Sequence, residues 1–142
     1  MKFDTNNHAL FSLNYHLVLV VKYRRRVIND VISNRLKEMF KDIGVKYQIN
    51  PIEWNHDVDH VHVLFKAAPN SLISKFLNAY KSASSRRIRT EFPAEVSKYY
   101  WKPYFWSLSY FIGSVSDRTA SAVKQYINSQ KGDLPDSPTS DS

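Results

Sequence analysis

The segment Asp59-His60-Val61-His62-Val63-Leu64-Phe65 carries two imidazoles two residues apart. Side chains alternate along a strand, so His60, His62 and Leu64 share one face and Val61, Val63 and Phe65 the other. The second set is wholly apolar and marks the core side. Two imidazoles on the opposite face can converge on one metal ion or, if protonated, on one phosphate. The bland alternative is a histidine pair on a half-exposed strand with no chemical role. A metal site needs a third ligand, and with no cysteine in the chain it must be oxygen or another imidazole. Asp, Glu, Gln and the remaining histidines all stay open as its source. Two imidazoles and an oxygen suit Mn, Zn or a hydrated Mg in a site open to a phosphate oxygen. Tyr126 and Gln130 form a second pair, four apart and therefore stacked on one helical face. A phenol can attack a phosphodiester and hold a covalent intermediate, with help because its ordinary pKa is about 10. The alternative for Tyr126 is an aromatic at the rim of a buried stripe.

These residues need elements to hold them. Residues 14–22 (NYHLVLVVK) read as a central strand running into the basic cluster Lys22, Arg24, Arg25 and Arg26. A helix follows over 30–43, with Ile32, Leu36, Met39, Phe40 and Ile43 at helical spacing, Asn29 or Asp30 as cap and Gly44 as stop. Residues 45–54 read as a strand with Pro51 at an edge or bulge, 55–57 as a turn, and 58–67 as the partner strand of a hairpin. Pro69-Asn70-Ser71 opens a second long helix, basic in its far half and ended by Pro93. A fourth strand is expected over 104–115. The last helix, capped by Ser116 or Asp117, is expected to bury Ala120, Val123 and Ile127. The order β-α-β-β-α-β plus a C-terminal helix predicts an α+β, ferredoxin-like (RRM-like) antiparallel sheet with two helices on one face. The other face is then open to a ligand or to the last helix.

The chain has 142 residues, which suits one domain, assigned to 1–130, and 131–142 read as a disordered polar tail. The absence of cysteine excludes a disulfide scaffold, a Cys-ligated zinc finger and a thiol nucleophile. Formal net charge is +7. The last twelve residues hold one lysine and three aspartates, so residues 1–130 carry +9. Such a balance points to a polyanionic partner, chiefly nucleic acid. Residues 99–111 hold 8 of the chain's 20 aromatics. They can stack on unpaired bases, although sheet core and a dimer interface are the preferred use for most of them. No targeting or membrane segment is visible, and a cytoplasmic location is expected.

Several segments, taken in order, resemble the single-tyrosine HUH transposases, the small TnpA type of bacterial and archaeal insertion sequences. They are Tyr15-His16-Leu17-Val18 with Lys22-Tyr23-Arg24-Arg25, then His60-Val61-His62, then Lys81 with Ser84-Ser85-Arg86. Ser109-Tyr110-Phe111 with Ser114-Val115 follows, and last Val123-Lys124-Gln125-Tyr126-Ile127 with Gln130. Leu19, Val21, Ser82 and Ser116-Asp117 depart from the family's usual residues, and none of these is a catalytic position. The resemblance implies that Tyr126 attacks single-stranded DNA to leave a 5′-phosphotyrosine bond and a free 3′-OH. It implies that His60, His62 and Gln130 hold a divalent ion, Mg or Mn, on the scissile phosphate. It also implies a homodimer, with an active site that can be shared between subunits, and recognition of hairpins near transposon ends. Lys22, Tyr23, Arg24, Arg25, Arg26, Lys81, Ser85, Arg86, Arg87 and Arg89 are the candidate DNA contacts, and Asp59 a candidate orienter of an imidazole. His16 shares the resemblance, and no chemistry is assigned to it. Three alternatives remain: a module that binds hairpins without cutting, a relative acting on chromosomal palindromes, and a metal-dependent phosphodiesterase without a covalent step.

Overall fold

The computed structural model describes residues 13–115 and 119–130, apart from the side chain of Gln130. The expected helix caps at Ser116 and Asp117 and the expected tail at 131–142 lie outside the described residues. Four strands make one antiparallel sheet: β1 (Leu13–Val21), β2 (Ile49–His56), β3 (His60–Ala67) and β4 (Trp106–Ser114), in the order β2-β3-β1-β4. This is the ferredoxin-like arrangement. Helices α1 (Asp30–Val45) and α2 (Ile73–Glu91), with the short α3 (Pro93–Ser97), accompany them, and α4 (Thr119–Gln130) comes last.

β1 is central, and its residues 17–21 are buried without alternation. A strand covered on both faces has no polar side to show. Leu17, Leu19 and Val21 face the main core, where they meet Val61, Val63 and Phe65 of β3 and the apolar faces of α1 and α2. Phe40 of α1 lies against the rings of Trp54, Phe65, Phe76 and Tyr80 there. Val18 and Val20 face the other way and meet Val123 of α4, with Phe111, Tyr126 and Ile127 around them. The open face of the sheet is therefore taken by the last helix.

The element boundaries differ from expectation in several places. Asn29 caps α1, its Oδ1 accepting from the Ile32 N–H at 2.8 Å. The helix runs past Gly44 to Val45 before a turn ending at Gln48, which has φ 58°. Gly44 is needed there for space, since a Cβ would sit 2.5 Å from the Ile49 carbonyl oxygen. Residues 45–48 thus belong to the helix end and turn, and β2 starts at Ile49. Asn55 and His56 are paired with His62 and Val61, so the hairpin turn moves to 57–59. Its closure is the bond from Asp57 N–H to the His60 carbonyl, 2.9 Å. The register of β2 shifts between Pro51 and Glu53, where a residue without an N–H is tolerated. Pro93 opens α3 instead of merely ending α2, because proline suits a first helical position. In α4, Thr119 and Val123 are buried and Ile127 is half-buried, but Ala120 is exposed.

Candidate active site

The register of β3 turns His60 and His62 away from the core, both half-buried, whereas Val61 and Val63 are wholly buried. Val18 pairs with His62 and Val20 with His60, so both imidazoles flank the valines on which α4 rests. Helix α4 brings Tyr126 to this same face. Its ring lies 5.8 Å from that of Phe111, and its hydroxyl is 3.0 Å from Ser109 Oγ. The histidine pair and the tyrosine, more than sixty positions apart in the chain, thus share one side of the sheet.

His60 Nδ1 lies 2.9 Å from Asp59 Oδ1. With the proton of a neutral imidazole on Nδ1, Nε2 keeps its lone pair for a cation. Asp59 is in turn bound through Oδ2 by Arg24 Nε at 2.9 Å. Burial pushes the Asp59 carboxyl up, but the bonds and charges of His60 and Arg24 outweigh it and hold the group below its ordinary value. Asp59 therefore stays an acceptor for His60.

His62 Nε2 is 2.9 Å from His16 Nδ1, with ring centroids 5.1 Å apart. His16 pairs with Leu64, which places it diagonally from His62 across β1 and β3. Burial, and then the neighbouring His16 and His60, push the His62 imidazole below its ordinary pKa. A neutral imidazole is the form that ligates metal. Two half-buried imidazoles suit a divalent ion in an open site; His60, oriented by a carboxylate, offers Nε2, whereas His62 would have to give up its contact with His16 to offer the same atom. Gln130 ends α4 one turn beyond Tyr126, but its side chain lies outside the described residues. Among the described residues no three His, Cys, Asp or Glu side chains form a ready cage.

The basic residues fall into different groups. Arg24 has a side chain only 9% exposed, spent on Asp59 and on the carbonyl of Ile127 at 3.0 Å. Lys81 reaches the carbonyl oxygens of Ser107 at 2.8 Å and Leu108 at 3.4 Å, and burial pushes it below the ordinary lysine value. Lys22 lies 5.0 Å from the Tyr104 ring centre and 5.3 Å from that of Tyr23. Arg25, Arg26, Arg86 and Arg87 are exposed, with Arg25 5.4 Å from the Tyr23 ring centre. Arg89 is half-buried, its Nε 3.4 Å from Ser85 Oγ. Lys22, Lys81, Ser85 and Tyr104 line a cleft of about 430 Å³ between α2 and the start of β4. Ser84, in the same short motif as Ser85, is buried and accepts from Trp106 Nε1 at 2.9 Å. Among the clustered aromatics, Tyr100, Phe105 and Trp106 are buried, whereas Trp101 is 91% exposed.

Two participants escaped the sequence reading. His16 carried a signal only through the resemblance. Arg24 was grouped with its basic neighbours, and nothing local marks it as the one turned inward.

No helix among the described residues is long and apolar enough to cross a membrane. The fold is shared with a REP-associated tyrosine transposase solved bound to a REP hairpin, with a TM-score of 0.57 at 10% identity over 85% of this chain and 68% of that one. A Deinococcus radiodurans R1 protein solved at 1.90 Å as a candidate transposase matches with a TM-score of 0.77 and 32% identity, covering 92% of this chain and 98% of that chain. The ISDra2 transposase TnpA of Deinococcus radiodurans is 35% identical over 121 residues, 85% of this chain and 86% of the relative. Residues 9–130 match the family described as "Transposase IS200 like". With the fold, the histidine face and the tyrosine helix in one order along the chain, this protein belongs to the IS200-like transposase family.

Proposed function

We propose that this transposase cuts and rejoins single-stranded DNA at insertion-sequence ends through a covalent bond to Tyr126. The observation that carries the reading is the docking of α4, with Tyr126, on the sheet face that presents His60 and His62. In the first step the Tyr126 oxygen attacks the scissile phosphorus and the 3′-oxygen leaves, giving a 5′-phosphotyrosine and a free 3′-OH. In the second step a 3′-OH attacks the same phosphorus and the tyrosine oxygen leaves. One ester replaces another each time, so rejoining needs no nucleotide cofactor.

His60 and His62, with Gln130, would hold a divalent ion, Mg or Mn. Such an ion supplies Lewis acidity to a phosphate and so compensates for the weak nucleophilicity of a phenol. Asp59 keeps His60 oriented for that task. The partner is a hairpin-bearing single strand. The cleft between α2 and β4, with Lys22, Lys81 and Ser85 beside Tyr104, supports hairpin contact, and exposed Arg25, Arg26, Arg86 and Arg87 add phosphate attraction. A homodimer, with an active site open to sharing between subunits, follows from the family resemblance. The outer edge of β4 has no strand partner among the described residues, and its Leu108 is 87% exposed, which supports a second copy there. The place of action is the cytoplasm of a prokaryotic cell.

The test is incubation with a labelled hairpin oligonucleotide and Mn, resolved on a denaturing gel. A covalent protein–DNA band is expected from the wild-type chain, and Tyr126→Phe is expected to bind the hairpin yet lose the band by at least about 1,000-fold. Free product without a band would select a phosphodiesterase, and no product at all would select a binding module.

A further inference from the structure

One guanidinium touches both halves of the proposed site. Arg24 Nε donates to Asp59 Oδ2 at 2.9 Å, while Asp59 Oδ1 lies 2.9 Å from His60 Nδ1. The Nη1 of the same Arg24 donates to the Ile127 carbonyl at 3.0 Å, one residue beyond Tyr126. Ile127 belongs to the last turn of α4, where carbonyls run out of intrahelical N–H partners. A permanent cation is well suited to that end of a helix dipole. The backbone around Arg24 is unusual: Tyr23 has φ 59° and Arg24 φ 52°, both left-handed without a glycine. That turn is held by Lys22 N–H on the Phe105 carbonyl at 2.8 Å and by the Tyr100 hydroxyl on the Lys22 carbonyl at 2.6 Å. Such over-determined strain is found where geometry serves a site. The apolar seat of α4 is meanwhile small, with Val123 buried on Val18 and Val20 and with Phe111, Tyr126 and Ile127 only half-buried around them.

We propose that Arg24 is a positioning residue that couples the orientation of His60 to the seating of the tyrosine helix. The imidazole and the nucleophile are then brought into place together, through Asp59 on one side and the Ile127 carbonyl on the other. The assignment rests on the roles proposed above for His60 and Tyr126. It predicts a group that acts through its neighbours and makes no DNA contact.

The test uses the full chain and reads two quantities with Mn alone, beside hairpin affinity measured separately. These are amide hydrogen exchange over residues 123–130 and Mn affinity by electron paramagnetic resonance. Arg24→Gln is expected to speed exchange in α4 about 10-fold and to weaken Mn binding about 10-fold. Hairpin affinity should stay within about 2-fold, since no phosphate contact is removed. Asp59→Asn is expected to move both readouts as well, although it does not touch α4. Movement of only one readout in Arg24→Gln, or of neither, would overturn the coupling, and so would loss of hairpin affinity with both unmoved. If Arg24→Gln does not fold, Gln130→Ala decides with Arg24 intact. Mn should still slow exchange in α4 although the ligand proposed on that helix is gone, and unchanged exchange would overturn the proposal. Cleavage by Tyr126→Phe would sink the functional reading while leaving these readouts intact, so the two failures are distinct.

Discussion

On the α1/α2 side of the sheet, Phe40 is enclosed by four aromatic rings, and Leu17, Leu19, Val61, Val63 and Phe65 are wholly buried. On the α4 side, Val123 is buried against two valines of β1, Phe111, Tyr126 and Ile127 are only half-buried around them, and polar ties at Arg24 and Ser109 add to the seat. The first face is packed as cores are, where loss of volume is felt throughout the domain. The second has little apolar area to hold it and belongs to the part of a fold that opens locally at low cost. A rigid platform carrying the imidazoles thus meets a weakly seated helix carrying Tyr126, the proposed nucleophile. On the proposed function, stability and reactivity fall on opposite sides of one sheet.

That contrast can be broken by substitution. Phe40→Ala is expected to lower the free energy of unfolding by about 3–5 kcal/mol, measured by urea denaturation. A cost below about 1 kcal/mol would mean the two faces are not so different. Val123→Ala should lower global stability by less than about 1.5 kcal/mol while speeding exchange in α4, read by hydrogen exchange. Equal slowing or speeding across the whole chain would show that α4 unfolds only with the core.

The smallest effect is with pH. His62 has a folded pKa below its unfolded value, so below about pH 6.5 the unfolded chain binds the extra proton more readily. Stability is therefore expected to fall as pH drops through that region, until the folded imidazole also protonates. Asp59 has the same sign at lower pH: its depressed folded value gives stability above the unfolded carboxylate pKa that is lost on further acidification. Denaturation at pH 7.5 and 5.5, compared with His62→Gln, isolates the histidine contribution to the slope, taking about 6.5 as the reference pKa. An unchanged slope in the variant would assign it elsewhere.

Much of this was readable in the chain itself. Alternation alone put His60 and His62 on the face opposite Val61, Val63 and Phe65, and helical spacing put Tyr126 beside Val123. The element order gave the ferredoxin-like sheet. What stayed hidden depends on long-range register. His16 meets His62 across 46 positions, and only the pairing of β1 with β3 brings them together. Arg24 is separated from its neighbours by a left-handed turn at Tyr23 and Arg24, and neither residue type advertises one. The hairpin turn was displaced because ladder pairing of Asn55 and His56 outweighed their turn preference.

The unbroken burial of residues 17–21 in β1 also bears on how the chain is made. This run of aliphatic side chains is synthesised early, and Val123, which covers its second face, is synthesised about 100 residues later. At about 5–20 residues per second the interval is of order 5–20 s. Throughout it a strand of high β-propensity keeps one greasy side uncovered. Lys22, Arg24, Arg25 and Arg26 follow directly, and charges flanking such a strand act as gatekeepers against self-association. The basic cluster is thus suited to guard the nascent polypeptide against self-association, a task separate from any contact in the finished fold.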